Sequence, residues 1–337
     1  PEVKAAAYFW IGKTYEKLGD KEKSANAWQD ATQQDPTGYY SERAKEILSD
    51  SDLFSPFNNV NLKVNLEQER LIAEVWMRNT FSLPQDTNFI TLNPFLSDEI
   101  FIKANAFWDL GLYSLARNEY ETLRIMYEND PINLFRLTNH FVEIGLYRSA
   151  IYSSRQILDL ANMDDFASMK APLWFNHIRF GLYFNEIVEN AANDYNFEPL
   201  LLYSLIRQES FFEGFIVSSA GAKGLMQIMP ATGEEIANLL KWPVNYVESD
   251  LYRPLINIRM GASYLSRMRT YFDDDIFAAL AAYNAGPGNV TNWVEKANND
   301  PDLFLEIIPY EETRRYLRNI YTFYRIYETL YPVRTVQ

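Results

Sequence analysis

Apolar residues along the chain recur at intervals of three and four, and prolines and glycines fall between the periodic segments rather than inside them. That pattern predicts helices almost throughout. No convincing run of alternating positions predicts strands, so the expected fold class is all-α, or nearly so. Residues 51–66 and 82–98 are rich in turn formers and read as loops, with a helix from Leu66 to Phe81 between them. A further break falls near Met163–Pro172. The boundary placed there divides the chain into residues 1–170 and 171–337.

The first part repeats. Gly19, Gly111 and Gly145 each sit at a turn between two helix-like segments. Five positions later come the small residues Ser24, Ala116 and Ala150; nine later come Trp28, Tyr120 and Ser154; twelve later come Ala31, Leu123 and Ile157. Two antiparallel helices need a small residue where they cross and a large one beside it, and each pair buries its exposed face on the next. The spacing between Gly111 and Gly145, and the set Gly12, Tyr15, Gly19, Trp28, Ala31 and Pro36, resemble the tetratricopeptide repeat, most closely over residues 4–36. The expectation is an N-terminal α-solenoid or superhelical arm. A generic stack of helical hairpins would imply nearly the same architecture.

Composition narrows the function. The chain of 337 residues has 31 Lys+Arg against 45 Asp+Glu, a net charge of −14, which disfavours nucleic acid and anionic membrane surfaces as partners. With no cysteine, disulfides, thiolate catalysis and thiolate metal sites are excluded. His140 and His177 are the only 2 histidines, far apart in sequence, so a histidine-rich metal site or a Ser-His triad is not expected, and packed or surface roles suit both. No apolar stretch is long enough to span a bilayer. The opening Pro1-Glu2-Val3-Lys4 leads directly into a helical pattern, which reads as a start inside a longer protein, with any export signal or lipid anchor upstream.

From Asn196 the sequence changes character. Pro199 suits the first turn of a helix expected to run from Leu200 to about Phe212. Leu202, Leu205 and Ile206 lie seven, four and three positions before Glu209, so this glutamate falls on the core-facing stripe near the C-terminal end, whereas Arg207 and Gln208 point elsewhere. Lost hydration and the negative end of the helix dipole would both favour the protonated carboxyl, the form that donates a proton to a glycosidic oxygen. A buried glutamate that bonds backbone donors of the next loop fits this stretch equally well. The following segment, Ser218 to Pro230, is too glycine-rich for a helix, and Gly221 and Gly224 permit tight turns or close approach of a ligand. Thr232 and Glu235 read as a capping box for the next helix. Farther on, Ala281-Ala282-Tyr283-Asn284-Ala285-Gly286-Pro287-Gly288 ends a helix abruptly, with Tyr283 and Asn284 in its last turn.

Taken in order, these pieces resemble the catalytic domain of soluble lytic transglycosylases, a lysozyme-like family that cuts peptidoglycan. The resemblance rests on Arg207-Gln208-Glu209-Ser210, on the Gly221–Pro230 run, on Asn257-Ile258-Arg259-Met260-Gly261-Ala262-Ser263-Tyr264-Leu265, on residues 281–288, and on Ile307-Ile308-Pro309-Tyr310 followed by Glu311-Glu312-Thr313-Arg314. It covers roughly residues 187–330, and the helical part ahead of it also resembles the larger members of the family. It implies a lysozyme-like, α-rich C-terminal catalytic domain with Glu209 as the acid/base. Ser218 would lie close to the sugar's acetamido group, and Gln227 and Met229 would line the cleft. Tyr283 and Asn284 would face the catalytic carboxylate, and Glu306 would be an acidic residue in contact with substrate. One departure is local: where the family often has Asn-Pro after the Glu-Ser pair, this chain has Phe212-Glu213-Gly214.

The implied reaction is non-hydrolytic cleavage between N-acetylmuramic acid and N-acetylglucosamine, leaving 1,6-anhydromuramic ends and using no metal or organic cofactor. The implied setting is the cell wall of an exported, periplasmic or extracytoplasmic protein, with peptidoglycan strands as partner and the helical arm available to other cell-wall proteins. A lysozyme-like hydrolase would need a second carboxylate. Asp250, Asp273, Asp274 and Asp275 stand in no such motif, and the run 273–275 reads as a solvated turn. A repeat-based binding scaffold would not require the active-site set. The aromatic cluster Tyr310, Tyr316, Tyr321, Phe323, Tyr324 and Tyr327 could stack on sugars, but at helical spacing most of it belongs to the core.

Overall fold

Several helices begin where a side chain can satisfy their first free N–H groups. In the computed structural model, which describes residues 1–51, 54, 61–298 and 300–332, Asp20, Asn65, Asp98, Asp130, Asp164, Asp275 and Asp300 all accept from backbone N–H groups of the turn they precede. The helices are α1 (Glu2–Lys17), α2 (Lys21–Gln34), α3 (Tyr39–Leu48), α4 (Leu66–Thr80), α5 (Glu99–Asp109), α6 (Tyr113–Met126), α7 (Pro131–Ile144), α8 (Tyr147–Leu160) and α9 (Asp165–Ser168). Then follow α10 (Leu173–Arg179), α11 (Asn185–Tyr195), α12 (Pro199–Ser210), α13 (Pro230–Leu240), α14 (Pro254–Tyr271), α15 (Ile276–Ala285), α16 (Pro287–Ala297), α17 (Pro301–Ile307) and α18 (Glu311–Leu330). Two isolated β-bridges pair described residues with one another, Val217 with Lys223 and Lys223 with Ile228. The chain is all-α, as its periodicity predicts.

Two compact units share the chain. One comprises residues 1–61, 191–208 and 262–337, the other residues 62–190 and 209–261. They follow contacts, whereas the sequence division at residue 170 follows the break near Met163–Pro172.

In the first unit α1, α2 and α3 pack on one another, α3 packs on α18, and α15 to α18 form the remaining layer. Gly12 shows why the first hairpin closes so tightly. A Cβ there would lie 2.3 Å from the Trp28 indole nitrogen. That indole donates to the Phe9 carbonyl at 3.2 Å, and Ser24 Oγ donates to the Gly12 carbonyl at 3.0 Å.

In the second unit α5 pairs with α6, α7 with α8, and α10 packs on both α8 and α4. Its interior is aromatic: Phe95, Phe101, Tyr120, Phe135, Phe141, Trp174 and Phe175 are all buried in one cluster, with Phe135 stacked on Trp174 at 4.2 Å. Burying one such ring contributes roughly 1.5–3 kcal/mol. Gly19, Gly111 and Gly145 each stand at positive φ between paired helices, and every position singled out five, nine and twelve residues after them is buried.

Several boundaries differ from expectation. The Thr232–Glu235 capping box is absent: α13 starts at Pro230 with Met229 as its N-cap, and no side chain caps it. Proline at the first helical position is already set for helix and needs no donor, so the helix begins about three residues earlier. α12 stops at Ser210, because Phe211 and Phe212 turn to positive φ. The 82–98 loop contains a single 3-10 turn, Asn93–Phe95, and the break before Pro172 holds the short α9. Most of the 51–66 loop lies outside the described residues.

Candidate active site

α12 is unusual in being buried on every side. Leu200 through Arg207 are all buried, including Arg207, which the helical period alone places away from the core stripe. Its guanidinium lies 4.8 Å from the centre of the Phe323 ring, a cation–π contact that a positive charge in an apolar setting favours. Gln208 accepts from the Asn319 side chain at 3.1 Å. Glu209 follows in the last turn and is half-buried, one position before the buried Ser210.

Beyond Ser210 the chain reverses through Phe211 and Phe212, at φ 50° and 62°. The turn is held by aromatic contacts: Phe211 with Tyr152 at 5.5 Å, Phe212 with Tyr183 at 5.1 Å, and Phe215 stacked with Tyr113 at 5.6 Å. Glu213, at the place where the chain departs from the family pattern, is 2% exposed. It accepts from Arg117 of α6 at 2.9 Å and from Arg148 of α8 at 3.0 Å, one oxygen each. The departure is thus the point where the loop after Glu209 is ion-paired to the helical repeats. Two cations on one buried carboxylate compensate its desolvation better than one could.

The glycine-rich loop is pinned from three directions. Ser210 Oγ donates to the Leu225 carbonyl at 2.8 Å, and Gly224 N–H donates to the Ile216 carbonyl at 3.0 Å. The third pin is Asn257 on α14, fully buried, which accepts from Met226 N–H at 2.7 Å and donates to the Lys223 and Leu251 carbonyls, both at 2.8 Å. Gly224 makes this possible: its φ is +77°, and a Cβ would stand 2.2 Å from the Leu251 carbonyl oxygen. Within the loop Ser218 is part-buried and its Oγ accepts from Ala222 N–H at 3.0 Å. Gln227, at φ 49°, folds back so that its side-chain amide donates to the Gly224 carbonyl at 2.8 Å. Met229 is 42% exposed. Glu209, Ser218, Gln227 and Met229 therefore belong to one compact unit, the second.

Tyr283, Asn284 and Glu306 belong to the first unit. Tyr283 and Asn284 occupy the last turn of α15, which Gly286 ends at φ 81°. The Tyr283 ring lies 5.2 Å from that of Tyr264, and Asn284 Oδ1 accepts from Thr313 Oγ1 at 2.7 Å. Glu306, on α17, accepts from the Tyr40 hydroxyl at 2.5 Å. Most of the C-terminal aromatics are core: Tyr316, Tyr321, Tyr324 and Tyr327 are buried, and Tyr310 is exposed.

Two contributors escaped sequence reading. Asn257 was visible as part of a motif, and an amide between apolar positions of a helix is a signal for a buried anchor. Tyr40 sits on α3, far in sequence from Glu306 and Arg318, and nothing local marks it. Among the described residues no group of three or more His, Cys, Asp or Glu is placed to hold a metal ion, and no helix is long and apolar enough to cross a membrane.

Comparison with known proteins agrees with the resemblance. Residues 186–303 match the model of the Transglycosylase SLT domain. The Soluble lytic murein transglycosylase of Salmonella typhimurium is 34% identical over 158 residues, 46% of this chain and 24% of that protein. The Putative soluble lytic murein transglycosylase of Haemophilus influenzae is 27% identical over 261 residues, 75% of this chain and 41% of that one. The fold is that of two solved chains. One is the 70 kDa soluble lytic transglycosylase of Escherichia coli, with a TM-score of 0.65 at 21% identity, covering 97% of this chain and 46% of that one. The other is an inactive mutant of the lytic transglycosylase Slt of Pseudomonas aeruginosa, with a TM-score of 0.61 at 24% identity, covering 96% and 52%. The present chain spans about a quarter to two fifths of these curated relatives.

Proposed function

We propose that this chain is a peptidoglycan lytic transglycosylase in which Glu209 is the only acid/base. The observation that carries the reading is the match of residues 186–303 to the SLT domain, with Glu209 at the end of a helix buried on all sides and a loop fastened directly behind it. Glu209 donates its proton to the β-1,4 oxygen between N-acetylmuramic acid and N-acetylglucosamine, and the bond from that oxygen to C1 breaks. The substrate's own acetamido oxygen stabilises the positive charge at C1. The Glu209 carboxylate then takes the proton from the C6 hydroxyl as its oxygen bonds to C1, closing a 1,6-anhydro ring. The attacking hydroxyl is tethered to the same sugar, which gives it a large effective-concentration advantage over water.

Ser218, Gln227, Met229, Tyr283, Asn284 and Glu306 contact the glycan in this reading, and no metal or organic cofactor takes part. The chain acts outside the cytoplasm, at the cell wall. Residues 1–170 form its repeat region and 171–337 its catalytic region. The exposed Leu71, Ile72 and Val75 on α4 are the surface that would meet another cell-wall protein.

Digestion of purified sacculi in ¹⁸O-labelled water tests the chemistry. Fragments should end in 1,6-anhydromuramic acid and carry no label. Label at most new reducing ends would identify a hydrolase and promote an aspartate to second catalytic group. Glu209→Gln should keep the fold and lower cleavage by roughly 10²–10⁴-fold, the contribution of a positioned acid–base group. A folded Glu209→Gln variant retaining more than a tenth of the turnover would remove Glu209 from the role.

A further inference from the structure

Glu306 is held in place by the opposite end of the sequence. α17 has only two turns, and one of its faces is gripped twice. Asp302, 2% exposed, accepts from Arg43 Nε at 2.8 Å and from Lys13 Nζ at 3.1 Å. Four residues on, and therefore on the same face, Glu306 Oε1 accepts from the Tyr40 hydroxyl at 2.5 Å and lies 3.5 Å from Arg318 Nη2. Tyr40 and Arg43 are both on α3, three residues apart, so one face of α3 meets one face of α17 at two points.

The Tyr40 phenol has little freedom. Its ring is 5% exposed, set edge-on to Tyr39 at 5.1 Å and against Phe9 at 5.7 Å. The Arg318 guanidinium lies 5.1 Å from the ring centre and donates to the hydroxyl oxygen at 2.7 Å. With that lone pair occupied, the O–H is directed at the carboxylate. The Glu306 side chain itself remains 31% exposed, so it can still meet a ligand.

We infer that Tyr40, together with Arg318, is a positioning residue for substrate binding. By holding Oε1 of Glu306, the pair fixes the carboxylate so that Oε2 accepts from a hydroxyl or amide of the bound glycan. The third helix, α3, is thereby part of the substrate site, not only a neighbouring arm. This rests on the reading that Glu306 contacts substrate.

The test compares Tyr40→Phe, Glu306→Gln and the double variant in the full chain, on soluble uncrosslinked glycan strands. Tyr40→Phe keeps the packed ring and removes one oxygen. It should raise KM roughly 2- to 13-fold, the range of one net hydrogen bond, with kcat within about twofold and the melting temperature nearly unchanged. In the Glu306→Gln background the same substitution should add almost nothing, because both act through one carboxylate. If Glu306→Gln raises KM but Tyr40→Phe does not, Tyr40 has no positioning role and the reading of Glu306 stands. If Glu306→Gln leaves KM unchanged, Glu306 is not a substrate contact and the inference falls with it. A Tyr40→Phe variant that loses kcat and thermal stability together, at constant KM, would show a structural role instead.

Discussion

The interiors of the two compact units are built on different principles. Residues 62–190 of the second unit are filled with rings and aliphatic side chains, and both of their glycine-turned helix pairs have an alanine, Ala116 or Ala150, at the crossing. The second unit does bury Glu213, paired with Arg117 and Arg148, but the first unit buries a longer chain of charges. Lys13, Arg43, Glu46 and Asp302 form a chain of ion pairs, and Tyr321 donates to Glu46 at 2.9 Å. Arg43 and Asp302 are 259 positions apart. An apolar interior accepts many side chains of similar volume, whereas a buried ion pair accepts few partners and fails when one is removed. The packing around this charge chain is thus less forgiving than the aromatic interior of residues 62–190.

The largest effect should come from breaking that charge chain. Asp302→Ala leaves the buried Arg43 and the half-buried Lys13 without their shared carboxylate. Removing one member of a buried pair typically costs about 3–5 kcal/mol, and chemical denaturation should show a loss of that order. Asp302→Asn, which can still accept from Arg43, should cost much less. A drop below about 1 kcal/mol for Asp302→Ala would mean that the network contributes little and that the contrast between the units is only one of composition.

In the aromatic interior of residues 62–190, shape should be the sensitive property. Ala116 is fully buried where α6 crosses its partner, so Ala116→Leu forces extra atoms into a filled space. The expected loss is about 1–3 kcal/mol, read from the urea midpoint at unchanged slope. A neutral Ala116→Leu would show room at the crossing and weaken the equivalence of Ala116 with Ser24 and Ala150.

This difference also explains what could be read from the sequence. Helix pairs, their glycine turns and their small crossing residues follow from local spacing, and they stand where the spacing puts them. The placement of Glu209 after Leu202, Leu205 and Ile206 was legible for the same reason. The burial of Arg207 was not, because period identifies one buried face and says nothing of a helix enclosed on all sides. The Thr232–Glu235 cap failed because two local signals competed and Pro230 prevailed. Arg43 with Asp302, Tyr40 with Glu306, and Glu213 with Arg117 and Arg148 are pairings between distant segments. A charged residue in an amphipathic helix ordinarily reads as solvated, and a single sequence contains no sign of its partner.

The smallest expected effect separates the units by the sign of their pH dependence. In the first unit burial pushes Glu198 up to about 7 from its ordinary 4.5, with backbone N–H groups of Leu200 and Leu201 opposing the shift. Glu328 is likewise pushed up to about 7 by burial, against the pull of Arg325 and the Tyr324 hydroxyl. Between about pH 4.5 and 7 the folded state keeps protons that the unfolded chain has released, so stability falls as pH rises through that window. In the second unit burial holds His140 below its ordinary 6.5, Glu143 opposing, while the Tyr120 hydroxyl lies 3.2 Å from its Nε2. There the unfolded chain takes up a proton that the folded state refuses, so stability falls as pH drops below 6.5. Relative to the unsubstituted chain, Glu198→Gln should therefore look more favourable at pH 8 than at pH 5, and His140→Gln more favourable at pH 5 than at pH 8. The difference for Glu198→Gln should be on the order of 1 kcal/mol after solvent screening, that for His140→Gln is read by its sign, and both are measured by urea denaturation at both values. Parallel profiles for Glu198→Gln would show that its carboxyl is solvated in the folded state. Slopes of the same sign for the two variants would remove pH as a means of telling the units apart.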